Sequence, residues 1–302
     1  MLVSMKEIVD RASREGYAVA APNVDSEMDA RSYILAAEEL NAPIVLDVGY
    51  GMHPDMYMLG QLLRALAQQS RVPIAINLDH ATSIDEILAA IQAGFTSVMI
   101  DGSRLPFADN VEITKEVVRL ARTVGVSVEA ELGHVGEAAN YGSDRDAALT
   151  SVDEAVRFVA ETGVDCLAVA IGTAHGPYPD GFEPYLDFDR LEELKAATGM
   201  PLVLHGSSGT ASEDLRRVCS SGISKVNVAS DLYRAAADAV LDADLSGRGS
   251  FALLPIAMDA AKEKLQELMR IYGSEGKAWA VTPPGLASGP VRAAEFKKSK
   301  RA

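Results

Sequence analysis

The chain has 302 residues, of which 48% are hydrophobic and 24% are charged, and its formal net charge is −15. A chain of this size can bury a large core, either as one α/β barrel or as two smaller domains. The negative charge repels phosphate backbones and anionic lipids, so nucleic acids and membranes are excluded as partners, and an anionic substrate must be gripped locally by backbone N–H groups or a metal ion.

The sequence has no apolar segment long enough to span a bilayer, and its start lacks the basic-then-apolar order of a secretory signal. Cys166 and Cys219 fall in segments that are predicted to be a buried strand and a helix. Two distant cysteines form no disulfide framework, so we expect reduced core thiols in a cytoplasmic protein.

Eight short apolar or β-branched runs recur along the chain, and segments with helical spacing separate them. The predicted strands are Ala18–Ala21, Ile44–Asp47, Ile74–Leu78, Ser97–Ile100, Ser127–Glu131, Cys166–Ala170, Leu202–His205 and Lys225–Val228. The predicted helices between them include Asp29–Leu40, Pro54–Gln68, Ser83–Gln92, Asn110–Val124, Ser151–Glu161 and Phe188–Ala197. Ser83, Asn110 and Ser151 stand at N-cap positions, and glycines stand where helices give way to strands.

These runs are continuously apolar, as in parallel strands that are covered on both faces. Eight such units in this length predict a (β/α)8 TIM barrel. A doubly wound sheet is the alternative, but no glycine-rich phosphate fingerprint follows the first strand. Two further helices are expected near Asp231–Ala243 and Leu254–Tyr272. We therefore expect one catalytic domain over residues 1–272 and a C-terminal extension over 273–302, either flexible or packed on a partner subunit.

Polar residues collect at the predicted carboxyl ends of the strands, where barrels of this kind place their active sites. They are Asp79, His80, Asp101, Glu129, Glu131, His175, His205, Asn227 and Ser230. Three of the five histidines of the chain meet there, and three neutral imidazoles with an open fourth position are typical of catalytic zinc. The ligands come from distant strands, so spacing alone gives no metal signature. His53 is interpreted as an ordinary surface residue, and His134 could be one too.

A loop rich in glycine and serine, from His205 to Gly209, follows the seventh predicted strand, and Asn227–Ser230 ends the eighth. Barrels commonly bind phosphate at this place, through backbone N–H groups that suit an acidic chain. Two ordinary βα turns are the alternative interpretation.

Five phrases of the sequence resemble the class II, zinc-dependent fructose-bisphosphate and tagatose-bisphosphate aldolases. They are NLDHA at 77–81, VEAELGHVG at 128–136, AIGTAHGPY at 170–178, LVLHGSSG at 202–209 and KVNVASDL at 225–232. The agreement in order and spacing runs from about Ser4 to Tyr233, and it is more specific for the superfamily than for the substrate.

The resemblance implies that His80, His175 and His205 hold one Zn2+ ion and that Asp79 exchanges the C4 hydroxyl proton. Asp101 and Glu131 correspond to a second or alternative metal position in some relatives. The residues implied to bind the phosphate of a dihydroxyacetone-phosphate half are Gly176, Gly206, Ser207, Ser208, Asn227, Val228, Ala229 and Ser230. The family also implies a small sugar-phosphate substrate and assembly as a homodimer or homotetramer. A zinc centre makes a Schiff-base lysine at Lys225 redundant.

Three departures from the family pattern concern the substrate. Pro179 replaces a lysine near the donor phosphate, and Ala139 and Asn140 replace an acidic pair in the loop after the fifth strand. After the second strand, Asp47 and Gly49 replace a glutamine and a serine or threonine. We expect the missing lysine, and an Asp47 charge near the mouth, to disfavour a bisphosphate.

The function predicted from the sequence is reversible aldol cleavage of a ketose phosphate, giving dihydroxyacetone phosphate or a similar three-carbon ketone and an aldehyde. One alternative is a non-catalytic, metal-binding sensor of sugar phosphates, because the loop acid is missing. Another is a barrel metal hydrolase, although the HxH pair of such enzymes is absent after the first strand. His134 or Glu137 could substitute for the loop acid.

Overall fold

The computed structural model of the chain describes residues 1–136, 138, 148–176, 184–246 and 249–280. Its strands there are β1 (Val19–Pro22), β2 (Ile44–Gly49), β3 (Ile74–Ala81), β4 (Ser97–Ile100), β5 (Ser127–Leu132), β6 (Cys166–Val169), β7 (Leu202–Leu204) and β8 (Ile223–Val228). Its helices there are α1 (Met5–Glu15), α2 (Glu27–Glu39), α3 (Met56–Gln69), α4 (Ile84–Ala93), α5 (Phe107–Arg122), α6 (Val152–Thr162), α7 (Phe188–Thr198), α8 (Ser212–Ser221), α9 (Ser230–Leu241) and α10 (Ser250–Ile271).

The eight strands form one parallel sheet in the order β1-β8-β7-β6-β5-β4-β3-β2. The two ends of this order also meet, since Asn23 and Asp47 form a parallel bridge and the Val24 N–H donates to the Asp47 carbonyl over 2.8 Å. Helices on the outside alternate with the strands along the chain. The predicted (β/α)8 barrel is thus confirmed.

The predicted N-caps were right at two positions and wrong at one. The Ser83 and Ser151 hydroxyls accept hydrogen bonds from the Glu86 and Glu154 N–H groups at the starts of α4 and α6. Asn110 does not cap a helix, because α5 already begins at Phe107. The Asn110 side chain is buried instead, and its amide donates to the Glu131 carbonyl over 2.9 Å, at the end of β5.

Helix α1 was not predicted. It starts with a capping box, in which the Ser4 side chain accepts from the Glu7 N–H and the Glu7 carboxylate accepts from the Ser4 N–H. Its buried residues are Met5, Ile8, Val9 and Ala12. They pack with inward-facing strand residues such as Val45 and Met99. This helix therefore closes the amino-terminal end of the barrel with an apolar layer.

The barrel interior becomes polar toward the carboxyl ends of the strands. The buried polar residues of β2, β3, β5 and β8 there, with His205 directly after β7, are Asp47, Asn77, Asp79, Glu129, Glu131, His205, Lys225 and Asn227. A buried polar group is costly unless it is hydrogen-bonded or bound to an ion. The polar groups of the barrel interior are therefore concentrated at this end, where they need hydrogen bonds or an ion.

The first residues of the predicted extension lie on the barrel of the same chain. The N–H groups of Gly276 and Ala278 donate to the carbonyls of Leu40 and Asn41 over 2.9 and 2.8 Å. Trp279 packs against the apolar cluster that the buried residues of α1 form with the strands. Residues 281–302 lie outside the described part, and the division at 272 stays a prediction.

Among the residues that the structure describes, no helix has the length and apolar character that crossing a membrane requires.

Candidate active site

Strand β3 delivers two neighbouring functional side chains to the mouth of the barrel. Its pairing with β4 is irregular between Leu78 and Ala81, and His80 within this irregularity has a φ of 51°. In a regular strand, Asp79 and His80 would point to opposite faces. Here the two side chains line the same cavity.

The three histidines predicted as zinc ligands come together at this mouth. One ring nitrogen from each of His80, His175 and His205 lies within 4.8 Å of the others. His80 Nε2 and His205 Nδ1 are 2.9 Å apart. The ring centroids of His80 and His175 are 5.1 Å apart. The rings therefore converge on one small volume.

In each of two rings, one nitrogen faces the shared volume (the inner nitrogen) and the other points away from it (the outer nitrogen). The outer nitrogens of these two rings contact carboxylates. His80 Nδ1 lies 2.9 Å from Asp101 Oδ2, and His205 Nε2 lies 2.8 Å from Glu129 Oε1. A metal-bound histidine usually donates its other N–H to such a carboxylate, which fixes the tautomer and the ring orientation. When both outer nitrogens donate, the inner nitrogens, His80 Nε2 and His205 Nδ1, face each other as acceptors. One proton or one cation between them then satisfies both.

The charges around the rings favour two neutral imidazoles and one that holds a proton. Burial first, and then the nearby rings of His205 and His80, lower the pKa of His175 to about 4. Burial also lowers the pKa of His205, against the effect of Glu129. Burial has the same effect on His80, but the adjacent carboxylates, that of Asp79 first, outweigh it and raise its pKa to about 10. The proton between the inner nitrogens therefore belongs to His80.

A second group of possible ligands shares His80. Ligand atoms of His80, Asp101 and Glu131 lie within 4.8 Å of one another. Glu131 Oε2 is buried without a hydrogen-bond partner. Burial, followed by the charge of Asp101, raises the pKa of Glu131 to about 8. A cation at this position would give the orphaned oxygen a partner.

These observations fit a divalent metal ion. A metal ion would replace the proton that His80 holds, and the three imidazoles, two of them with a carboxylate at the outer N–H group, would then form a donor set typical of catalytic zinc. The opposed inner nitrogens of His80 and His205 and the unpartnered oxygen of Glu131 are both places where a cation would replace an unsatisfied contact.

Asp79 is held beside the histidines by two amides. The Asn227 amide donates to Asp79 Oδ1 over 3.0 Å, and the Asn23 amide reaches Oδ2 at 3.5 Å. Burial favours the neutral acid, but His80, His205 and Lys225 outweigh it and lower the Asp79 pKa to about 2. Asp79 is therefore an ionised carboxylate with access to the cavity, as a proton acceptor requires.

The cavity at the mouth has a volume of about 240 Å³ and includes every residue that was predicted to bind phosphate. Those residues are Gly176, Gly206, Ser207, Ser208, Asn227, Val228, Ala229 and Ser230. The other lining residues are Asn23, Asp79, His80 and His175. Helix α9 begins at Ser230, so its free N–H groups and positive dipole end lie at this wall.

Glycine is required at the start of the β7 loop. Gly206 has a φ of 65°, and a Cβ added there would lie 2.5 Å from the Ala174 carbonyl oxygen. The Ser207 hydroxyl donates to the Asn227 carbonyl over 2.6 Å, which ties this loop to the end of β8. The loop is thus fixed close to the His175 segment.

The expectation that Asp47 places a charge near the mouth was wrong. Asp47 is fully buried in the barrel, Lys225 Nζ lies 3.0 Å from its Oδ2, and the Asn77 amide donates to its Oδ1 over 2.9 Å. The strand β2 continues two residues beyond Asp47, so the side chain points into the interior below the rim. Its charge is compensated and cannot repel a substrate directly.

Other predicted residues of the mouth have separate surroundings or lie outside the described part. His134 Nδ1 is 3.1 Å from the Ser103 hydroxyl and 4.0 Å from Glu131 Oε1. His53 lies on the β2–α3 loop and bonds to Asp55. The structure does not describe Glu137, nor Pro179 at the position of the replaced lysine, nor Ala139 and Asn140 at the positions of the acidic pair.

Sequence reasoning missed two contributors. Asn23 follows β1 at the same rim, and its place directly after a strand was the available signal. Lys225 was dismissed as redundant, yet it is fully buried among Asp47, Glu129 and Asn227. Asp47 and Glu129 are on β2 and β5, far from Lys225 in sequence, so no local pattern pointed to this ion-pair cluster.

Comparisons with known proteins agree with this geometry. The family described as "Fructose-bisphosphate aldolase class-II" matches residues 3–277. The fructose-bisphosphate aldolase of Geobacillus stearothermophilus is 40% identical over 287 residues, covering 92% of this chain and 99% of that protein. That of Thermus caldophilus is 38% identical over 305 residues, covering 92% and 100%.

The crystal structure of the YdjI aldolase from Escherichia coli K12 has a TM-score of 0.83 and 33% identity, and the match covers 92% of this chain and 100% of that one. Of the three functions that the sequence left open, these comparisons support the metal-dependent aldolase. The chain belongs to the class II fructose-bisphosphate aldolase family, whose members are carbon–carbon lyases that depend on a divalent metal.

Proposed function

We propose that this chain is a zinc-dependent aldolase that cleaves a ketose phosphate reversibly into dihydroxyacetone phosphate, or a similar three-carbon ketone, and an aldehyde. His80, His175 and His205 would hold the catalytic zinc. Asp101 and Glu131, with His80, would form a second cation position. Bound zinc supplies Lewis acidity toward the donor oxygens.

In this proposal, Asp79 accepts the proton of the C4 hydroxyl as the C3–C4 bond breaks, and returns it in condensation. Its two amide partners, Asn227 and Asn23, hold the carboxylate at the cavity wall. Both amides donate, so they favour the ionised form that can accept a proton. The low pKa of about 2 keeps Asp79 ionised at neutral pH.

The loop after β7 and the start of α9 would hold the donor phosphate. No lysine or arginine is among the described residues that line the cavity, so the grip comes from backbone N–H groups and from the dipole of α9. We propose a ketose with one anionic group as the preferred substrate. The relatives from Geobacillus and Thermus carry the name fructose-bisphosphate aldolase, which makes the bisphosphate the competing choice.

The convergence of the three histidine nitrogens beside an ionised Asp79 is the observation that carries this proposal. The test is cleavage of ketose phosphates, followed through release of the three-carbon ketone, with the zinc-loaded and the chelator-treated protein. We expect cleavage by the zinc-loaded protein, loss on chelation and recovery on adding zinc. No cleavage of any ketose phosphate by the zinc-loaded protein would contradict the proposal.

The ligand assignment has its own test in His205→Ala. This change removes one of three donors and leaves the apolar core intact, so zinc and activity should be lost together while the barrel still folds. Zinc is measured by atomic absorption and folding by circular dichroism, with His53→Ala as the matched histidine control. Stoichiometric zinc in His205→Ala would contradict the assignment.

We also propose a homodimer or homotetramer. Large apolar side chains on α9 and α10 are exposed, among them Leu241 at 81% and Phe251 at 80%. Exposed apolar surface of this kind supports self-association. Light scattering of the purified protein distinguishes these states from a monomer.

A further inference from the structure

Lys225 lies in the polar layer of the barrel, below the proposed metal ligands. Its side chain is fully buried, and Nζ is 3.0 Å from Asp47 Oδ2, 3.0 Å from Glu129 Oε2 and 2.7 Å from Asn227 Oδ1. An ammonium has three hydrogens and no acceptor. It donates a hydrogen bond to Asn227 Oδ1 and forms ion pairs with the carboxylates of Asp47 and Glu129.

One of these bonds determines the orientation of the Asn227 amide. Because an ammonium only donates, the Asn227 atom that faces Lys225 must be the oxygen. The NH2 group then points the other way, and it donates to Asp79 Oδ1 over 3.0 Å. If Lys225 were removed, the amide could turn over and present its oxygen to the Asp79 carboxylate.

The ion pair of Lys225 with Glu129 bears on which nitrogen of His205 faces His80. Lys225 occupies Glu129 Oε2, and Glu129 Oε1 accepts from His205 Nε2 over 2.8 Å. With its hydrogen on Nε2, the neutral ring of His205 presents Nδ1 as a lone pair toward His80. A carboxylate held in this way keeps a histidine in the tautomer that can bind a metal.

We propose that Lys225 is a positioning residue, whose single ammonium orients both the amide that supports Asp79 and the carboxylate that sets the tautomer of His205. The inference rests on the proposed function, in which Asp79 exchanges the proton and His205 holds the metal. It assigns a role to a buried lysine that a zinc-dependent aldolase does not need as a Schiff base.

Asp47 balances the charge of this ammonium but contacts neither Asp79 nor His205. Two carboxylates, those of Asp47 and Glu129, share the one ammonium. Changing Lys225 alone would leave both carboxylates buried without their cation, which is strongly destabilising. A test with that change alone would not separate misfolding from loss of positioning.

The experiment therefore uses the double variant Asp47→Gln/Lys225→Met, which removes both members of the Asp47–Lys225 ion pair together. Asp47→Gln alone is the matched control, because it retains the ammonium, its ion pair with Glu129 and its hydrogen bond to Asn227. Each protein is measured for kcat and KM per bound zinc, for zinc affinity by chelator competition, for melting temperature, and for the visible absorption of its cobalt-substituted form.

Groups that support metal ligands are typically worth 10–100-fold in metal affinity or activity. We expect the double variant to lose about 10–100-fold in kcat and in zinc affinity, with KM changed less and the cobalt spectrum altered. Asp47→Gln should stay within a few-fold of the unmodified protein, with its cobalt spectrum unchanged.

A double variant with a lower melting temperature but unchanged kcat, zinc affinity and cobalt spectrum would overturn the inference. Lys225 would then have only a structural role. Equal losses in Asp47→Gln and the double variant would also overturn it, because the charge of Asp47 would then be the cause. Failure of the proposed function looks different, since the unmodified zinc-loaded protein would then cleave no ketose phosphate.

Discussion

His80 shows how one unusual backbone angle places two neighbouring side chains in one site. A left-handed conformation costs a non-glycine residue about 1–2 kcal/mol, and in the described part of the chain only Asn41 and His80 adopt it. The angle turns the ring of His80 to the side of Asp79, where it contacts Asp101 and His205. Strain of this kind is characteristic of functional sites.

The role of Asp79 is tested by Asp79→Asn, which is nearly isosteric and removes only the charge. Zinc should stay bound, because Asp79 is not among the three proposed ligands, while kcat should fall by roughly 10²–10⁴-fold, as for other general acid–base groups. Steady-state kinetics and zinc analysis on the same preparation give both numbers. A rise in KM with an unchanged kcat would instead assign Asp79 to substrate binding.

At the scale of the elements, the strands and their order along the chain could be predicted, since parallel strands have continuous apolar runs. Because the carboxyl ends of such strands share one rim, the three histidines could also be grouped from the sequence alone. The pairing of Asp47 with Lys225 could not, since it crosses the barrel between β2 and β8. Burial at that depth turned a presumed surface charge into an internal ion pair.

The loop after β7 can be used to test whether its close approach to the Ala174 backbone is required. Gly206 and Gly199 both have a φ of 65°, but a Cβ on Gly199 meets nothing within 4 Å, whereas one on Gly206 meets the Ala174 backbone. Both alanine variants should lose about 1–2 kcal/mol from the left-handed angle. Gly206→Ala should lose more, and its KM for the phosphorylated substrate should rise.

Urea unfolding and steady-state kinetics separate the two effects, with Gly199→Ala as the control that carries the angle without the clash. Equal destabilisation of the two variants, with no change in KM for Gly206→Ala, would mean that the loop relaxes freely and that its close approach has no part in binding.

For the whole molecule, the net charge of −15 sets the conditions under which an anionic substrate binds. At the cavity, backbone N–H groups and the start of α9 offset the negative field of the chain. The described residues that line the cavity include no lysine or arginine. Long-range repulsion is screened over about 8 Å at physiological ionic strength. Local donors can therefore hold one anionic group, while a second one finds no cation among those residues.

The substrate prediction follows from this balance. Fructose 1,6-bisphosphate should have a lower kcat/KM than a ketose with one anionic group. Pro179→Lys should raise kcat/KM for the bisphosphate about tenfold, the equivalent of roughly 1.4 kcal/mol, because an added cation attracts a substrate with two phosphates more strongly than one with a single anionic group. Pro179→Gln controls for the loss of proline, and Asp47→Gln should leave the preference unchanged because Asp47 is buried and paired with Lys225. If the unmodified enzyme is fastest on the bisphosphate and Pro179→Lys brings no gain over Pro179→Gln, the backbone donors alone suffice for two phosphates.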